Sequence, residues 1–243
     1  MAIAPVWVPK PVAPPPAAAV LPKEAAAKPP ESVAAPLEKL EWPASEPRAK
    51  SEETAYAALF RAWGAEYGGA DVCKQAESLG LRCRTARGGL DELRQMNRPA
   101  VLLLHDDQGL PFLVALTALD DKTATFSFGT ESRKVALGAL AVQWAGQYSM
   151  FWRLPPGARE TIRRGERGSA VQWLIGQLAQ ANGKVADATQ PPVFDRSVER
   201  QVKEFQLAQG LAPDGFIGSQ TVMRLAGIGD GSAPQLQPRQ AGK

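Results

Sequence analysis

Cys73, Cys83 and a single histidine, His105, are the only cysteine and histidine residues in this 243-residue sequence. A zinc site built from several His or Cys ligands cannot be assembled from so few, and any imidazole role falls to His105 alone. Cysteine-based hydrolysis needs a base that forms the thiolate and later protonates the leaving group. Cys73 falls inside an expected helix, Cys83 in an extended piece that follows it, and His105 at a strand end beside Asp106. This arrangement suits a disulfide clipping the turn at Gly80, which would contribute about 2–3 kcal/mol by loop closure and imply an oxidising compartment. Two buried free thiols, or a thiol paired with His105, stay open on the sequence alone. The nucleotide-binding pattern Gly-x-x-x-x-Gly-Lys-Ser/Thr is absent from the sequence. No cofactor and no metal are expected.

The elements that must position these residues begin after a spacer. Twelve of the 21 prolines lie in the first 47 residues, among Ala, Lys and Glu, so residues 1–51 read as an extended, disordered linker without a core. Tyr56, Leu59, Phe60, Trp63 and Tyr67 then recur at helical steps, a core-facing stripe expected to end at Gly68-Gly69. A short helix over 70–78, an extended piece at 81–85 and a helix over 90–96 follow. The period then shifts: 100–104 (AVLLL) and 112–116 (FLVAL) are short apolar runs around a turn-forming cluster, 123–128 (TATFSF) alternates, and 148–153 is a further strand. Helices followed by antiparallel strands predict an α+β domain over 52–154. After a Pro/Gly linker at 155–163, Val171, Leu174, Leu178 and Ala181, then Val198, Val202 and Phe205, mark helices of a small three-helix domain over 164–227. Residues 228–243 read as a disordered tail.

Net charge is +3 with both signs interleaved, which offers no basic tract for nucleic acid. No run of 18 apolar residues exists, so no membrane span is expected in this chain, and the N-terminus lacks the pattern of a secretion signal.

The most specific stretch is residues 202–225. Gly210 suits a left-handed helix terminus, Asp214-Gly215 a tight turn, Gly218 a second turn where a Cβ would clash, and Ser219 a helix cap. Together with Gly165-x-x-Gly168-x-x-Val171-x-x-Leu174-x-x-x-Leu178 and Phe194-Asp195-x-x-Val198-Glu199-x-x-Val202-Lys203-x-Phe205-Gln206, it resembles the small peptidoglycan-binding domain of bacterial cell-wall hydrolases. One departure is Ile175, where that family has Gln. The resemblance implies peptidoglycan as partner and Phe205, Gln206, Asp214, Gly215, Phe216, Gly218 and Thr221 as site positions. Arg200, Lys203 and Arg224 are candidates for pairing with stem-peptide carboxylates.

Residues 52–154 resemble, more faintly, the papain-like fold of bacteriocin-processing cysteine peptidases. The positions where a triad would stand hold Ser51, Glu52, Glu53 and Thr54, then Leu110-Pro111, then Phe128-Gly129, so this resemblance implies an inactive domain. Spacer, triad-less domain and wall-binding domain together resemble the periplasmic region of the ExeA/GspA proteins of type II secretion. That resemblance implies a periplasmic module, anchored to the inner membrane through a segment not in this chain, with an inner-membrane secretion partner and the secretin as further contacts; because affinity per site is expected to be weak, avidity from a homo-oligomer would add to binding. The expected function is non-catalytic binding of peptidoglycan that assists secretin assembly. An active peptidase or wall hydrolase, and a purely protein-binding adaptor, are the rival readings.

Overall fold

Residues 38–69, 71–186, 192–228 and 230–237 are described by the computed structural model. The first 37 residues of the expected spacer lie outside them. Helix α1 (Ser51–Ala62) carries Glu52 and Glu53 in its first turn, where the helix dipole favours carboxylates, and turns Ala55, Ala58, Leu59 and Phe60 inward. It ends earlier than expected, because Gly64 takes φ +75° and turns the chain back. Tyr67 still joins the same core, stacking on Phe60 with ring centroids 5.3 Å apart. Asp71 starts α2 (Val72–Ser78) by accepting from the Lys74 amide at 3.0 Å, and Gly80, at φ +72°, leads from it into β1 (Leu81–Arg87).

The remaining elements of this half are α3 (Leu90–Met96), β2 (Ala100–His105), β3 (Pro111–Leu119), β4 (Thr123–Phe128), β5 (Glu131–Ala136), α4 (Leu137–Gln143) and β6 (Trp144–Arg153). The strands form one antiparallel sheet in the order β1-β6-β2-β3-β4-β5, so β6 inserts between β1 and β2. Side-chain alternation divides the apolar residues between two faces. Val101, Ala115 and Phe151 pack under α1 and α2. Leu102, Leu104, Val114, Leu116, Phe126, Met150 and Trp152 share the opposite core with residues of α3, α4 and the C-terminal helices.

Those helices are α5 (Ser169–Ala181), α6 (Arg196–Ala208) and α7 (Ser219–Ala226). Val171, Leu174, Leu178, Val198, Val202 and Phe205 are buried as their spacing predicts, whereas Ala181 is exposed. All described residues belong to one compact unit, Pro36–Lys243, and one apolar cluster runs from the sheet through all three helices.

Three expected boundaries are corrected by packing. The ordered chain begins before residue 52: Leu40 and Trp42 are buried, the backbone of Leu40 is held by the Gln143 carboxamide at 2.8 and 2.7 Å, and a 3-10 turn covers Arg48–Lys50. Ile162, placed in a linker by sequence, is fully buried and bridges to Ile217. The expected tail packs too: Ala233 and Leu236 are buried, the Leu119 amide donates to the Leu236 carbonyl, and the Asn97 carboxamide clasps Gln237. Its last residues, 238–243, lie outside the described chain.

Candidate functional site

Helix α6 is the spine of the C-terminal part. Asp195 caps it, its carboxylate accepting from the Ser197 and Val198 amides at 2.8 and 3.0 Å. With 3.6 residues per turn, Val198, Val202, Phe205 and Gln206 fall on the buried side while Arg196, Arg200, Lys203 and Leu207 share the opposite stripe. Glu199 flanks that stripe and pairs with both Arg164 and Lys203 at 3.2 Å.

The loop between α6 and α7 is built around Gln206, which is only 2% exposed. Its Nε2 lies 2.9 Å from Asp214 Oδ1, 3.0 Å from the Phe216 carbonyl and 3.2 Å from Thr221 Oγ1, and its Oε1 accepts from the Gly215 amide at 2.8 Å. Asp214 Oδ1 also accepts from the Phe216 amide at 2.8 Å. That bond and the Gln206 carboxamide hold the exposed Asp214 carboxyl below its ordinary range. Gly215 sits at φ +77°, and a Cβ there would come within 2.7 Å of Lys203 Cε. At Gly218 the backbone is extended, and a Cβ would meet the Phe216 ring at 2.9 Å, so glycine is required by the ring rather than by a turn. Ser219 is not the cap of α7: Gly218 occupies that position, without a side-chain bond.

The residues predicted as a site therefore divide. Lys203, Asp214 and Phe216 lie together where the loop meets α6, with the Phe216 ring half exposed, and Arg200 stands exposed on the α6 stripe with no recorded contact to them. Phe205, Gln206 and Thr221 are buried beneath them and shape the loop. Arg224 is corrected outright: at 7% exposure it is sequestered between α7 and the sheet, so its guanidinium cannot meet a ligand at that surface. Helix periodicity marked it as polar but could not show that α7 is covered by β6 and α3.

Sequence reasoning missed a groove of about 460 Å³ between α5 and α6. Ile175, Ala179, Val193 and Val198 give it apolar walls, and Asn182, Lys184, Gln201 and Glu204 add polar groups. The one available signal was Ile175, the departure from the family pattern, which opens into this groove.

In the sheet half, one pair of the positions compared with a peptidase triad in the sequence lies close together. A Cβ on Gly129, at the end of β4, would lie 4.0 Å from Thr54 in α1, and Pro111 pairs with His105 across β2 and β3. Cys73 and Cys83 form a disulfide, their Cα atoms 5.3 Å apart, which closes the question of free thiols. Among the described residues no hydrogen bond joins the His105 ring to a hydroxyl, and no cluster of three or more His, Cys, Asp or Glu could hold a metal. Among these residues, also, no helix is long and apolar enough to cross a membrane.

The family described as "Putative peptidoglycan binding domain" matches residues 167–225, which is α5 through α7. The chain is 30% identical over 191 residues to the general secretion pathway protein A of Aeromonas hydrophila, covering 78% of this chain. It spans 35% of that relative's length, about a third. The solved periplasmic domain of the EpsAB fusion protein of the Vibrio vulnificus type II secretion system matches with a TM-score of 0.53 and 26% identity, over 77% of this chain and 81% of that one. The N-terminal peptidase C39 like domain of the toxin secretion ATP-binding protein from Vibrio parahaemolyticus matches with a TM-score of 0.34 and 18% identity, over 41% of this chain and 94% of that one. Over the matched stretch this chain is thus similar to general secretion pathway A proteins, and its residues 167–225 match a helical domain of the peptidoglycan-binding type.

Proposed function

We propose that this chain is a non-catalytic periplasmic module that binds peptidoglycan through residues 164–227 and serves assembly of a type II secretion secretin through the wall. The observation that carries this reading is the family match over α5, α6 and α7. The surface of those helices supports it: Arg200 and Lys203 offer guanidinium and ammonium donors to stem-peptide carboxylates, Phe216 offers an exposed apolar ring, and the groove at Ile175 offers a trough for a peptide. The buried members of the site, Phe205, Gln206, Gly215 and Thr221, together with the half-buried Gly218, act by holding that surface in shape.

The absence of catalysis is supported by the disulfide, which removes both sulfurs as nucleophiles. The periplasmic location and the secretion partners are carried over from the relatives, a general secretion pathway protein and a periplasmic domain of a type II secretion system. Binding at one shallow, charged surface is weak, so self-association would raise it by avidity.

Sedimentation with purified peptidoglycan sacculi tests the reading. The protein is expected in the pellet, with Arg200→Glu and Lys203→Glu each weakening binding roughly threefold to tenfold and binding falling as salt rises. Protein that stays in the supernatant at low salt overturns the proposal and leaves the adaptor reading.

A further inference from the structure

Lys184 and Glu204 are opposite charges on the walls of one groove, the trough of about 460 Å³ between α5 and α6. Both side chains are exposed, and among the described residues neither is held in an ion pair or a side-chain hydrogen bond, whereas nearby Glu199 is committed to Arg164 and Lys203. Asp195, the other charged residue on the described lining, already accepts from the Ser197 and Val198 amides as the cap of α6. The groove therefore offers one ammonium and one carboxylate that have no partner of their own among the described residues. A purely anionic ligand would meet Glu204 unfavourably, and a purely cationic one would meet Lys184 unfavourably, so the complementary ligand carries both signs.

The groove also has a length. Ile175, Ala179 and Asn182 on α5, and Ser197, Gln201 and Glu204 on α6, follow the i, i+4, i+7 pattern of one helix face. Each stripe rises about 10 Å, which three residues of extended peptide also span. Ile175 gives an apolar wall for methylene groups, and the Gln201 carboxamide offers a donor and an acceptor to a peptide group. This α6 stripe stands one position on from Arg200 and Lys203, about 100° around the helix, so the groove and the cationic stripe are separate surfaces.

Building on the reading of this chain as peptidoglycan-binding, we infer that the groove selects a stem peptide by a side chain ending in both an ammonium and a carboxylate, as diaminopimelate does, over one ending in an ammonium alone, as lysine does. Glu204 takes the ammonium and Lys184 the carboxylate. A lysine side chain satisfies Glu204 and leaves Lys184 without a counter-charge.

The test titrates the full chain with two synthetic tripeptides, L-Ala-γ-D-Glu followed by meso-diaminopimelate or by L-Lys, both amidated at the C-terminus so that they differ in the side-chain carboxylate. Sedimentation with sacculi is run beside it. The diaminopimelate peptide is expected to bind about threefold to fivefold tighter, the worth of one solvent-exposed ion pair. Lys184→Gln is expected to bring the two peptides to parity, Glu204→Gln to weaken both, and Arg200→Glu to leave their ratio unchanged. Equal affinities, a preference that survives Lys184→Gln, or no binding of either peptide by protein that pellets with sacculi would each overturn this inference while leaving peptidoglycan binding intact. Protein that prefers the diaminopimelate peptide yet stays in the supernatant would overturn the earlier reading alone, and protein that binds neither sacculi nor peptide would overturn both.

Discussion

Asp214 shows how a residue can sit in a binding motif and still be occupied by structure. Its carboxylate accepts from the Phe216 amide and the Gln206 carboxamide, and these bonds favour the charged form. Because the folded-state pKa is depressed, the stability this group contributes is present above its unfolded value of about 3.9 and is lost as pH falls through the folded value. Asp106 and Asp120 are shifted in the same direction by bonds to their own loops, Asp106 chiefly by the Leu110 amide and Asp120 chiefly by the Thr123 hydroxyl. Stability measured by urea titration should therefore decline below about pH 4, and Asp214→Asn should flatten part of that decline while leaving sacculus binding at neutral pH within about twofold. A large loss of binding at neutral pH in a folded Asp214→Asn protein would instead make the carboxylate a ligand contact.

Among the elements, the disulfide joins the first turn of one marginal element to the first half of another. Helix α2 has seven residues and β1 is an edge strand, so neither is secured on both sides, and the bridge from Cys73 to Cys83 ties one to the other. Cys73→Ala with Cys83→Ala should cost about 2–3 kcal/mol by loop closure, read as a lower denaturant midpoint with an unchanged slope. Reducing agent should reproduce that loss in the wild type and leave the double variant unaffected. Elements of this half were legible where one local signal dominated. In β4 the alternation of TATFSF buries Ala124, Phe126 and Phe128 as read, and α3 occupies the residues its apolar spacing marked. Two elements were not legible. The polar edge strand β5, ESRKVA, buries only Val135, and α4 has seven residues without a side-chain cap. Both owe their form to tertiary contacts, which leave no periodicity behind. The site divided in the same way: the glycines and Asp214 announced the loop, but which of its polar residues are buried depended on what lay against them.

At the scale of the whole molecule, the boundaries read from composition dissolved into one core. Proline, glycine and polar residues near each end suggested unstructured flanks, yet each flank sends apolar side chains into the same core cluster: Leu40 and Trp42 from one end, Leu236 from the other. Composition averages over a segment and so hides the two or three residues that anchor it. Leu236 is the sharpest case, 2% exposed in a stretch of Gly, Ser, Pro and Gln, with its carbonyl bonded to the Leu119 amide at the end of β3. Leu236→Ala removes most of a buried side chain from a shared core and should destabilise the protein by about 2–4 kcal/mol. Because one apolar cluster joins sheet and helices, that loss should appear in a single unfolding transition, with the near-ultraviolet signal of the sheet tryptophans and the far-ultraviolet helix signal shifting together. A disordered tail would make the substitution silent, and a helical part that unfolded on its own would separate the two signals.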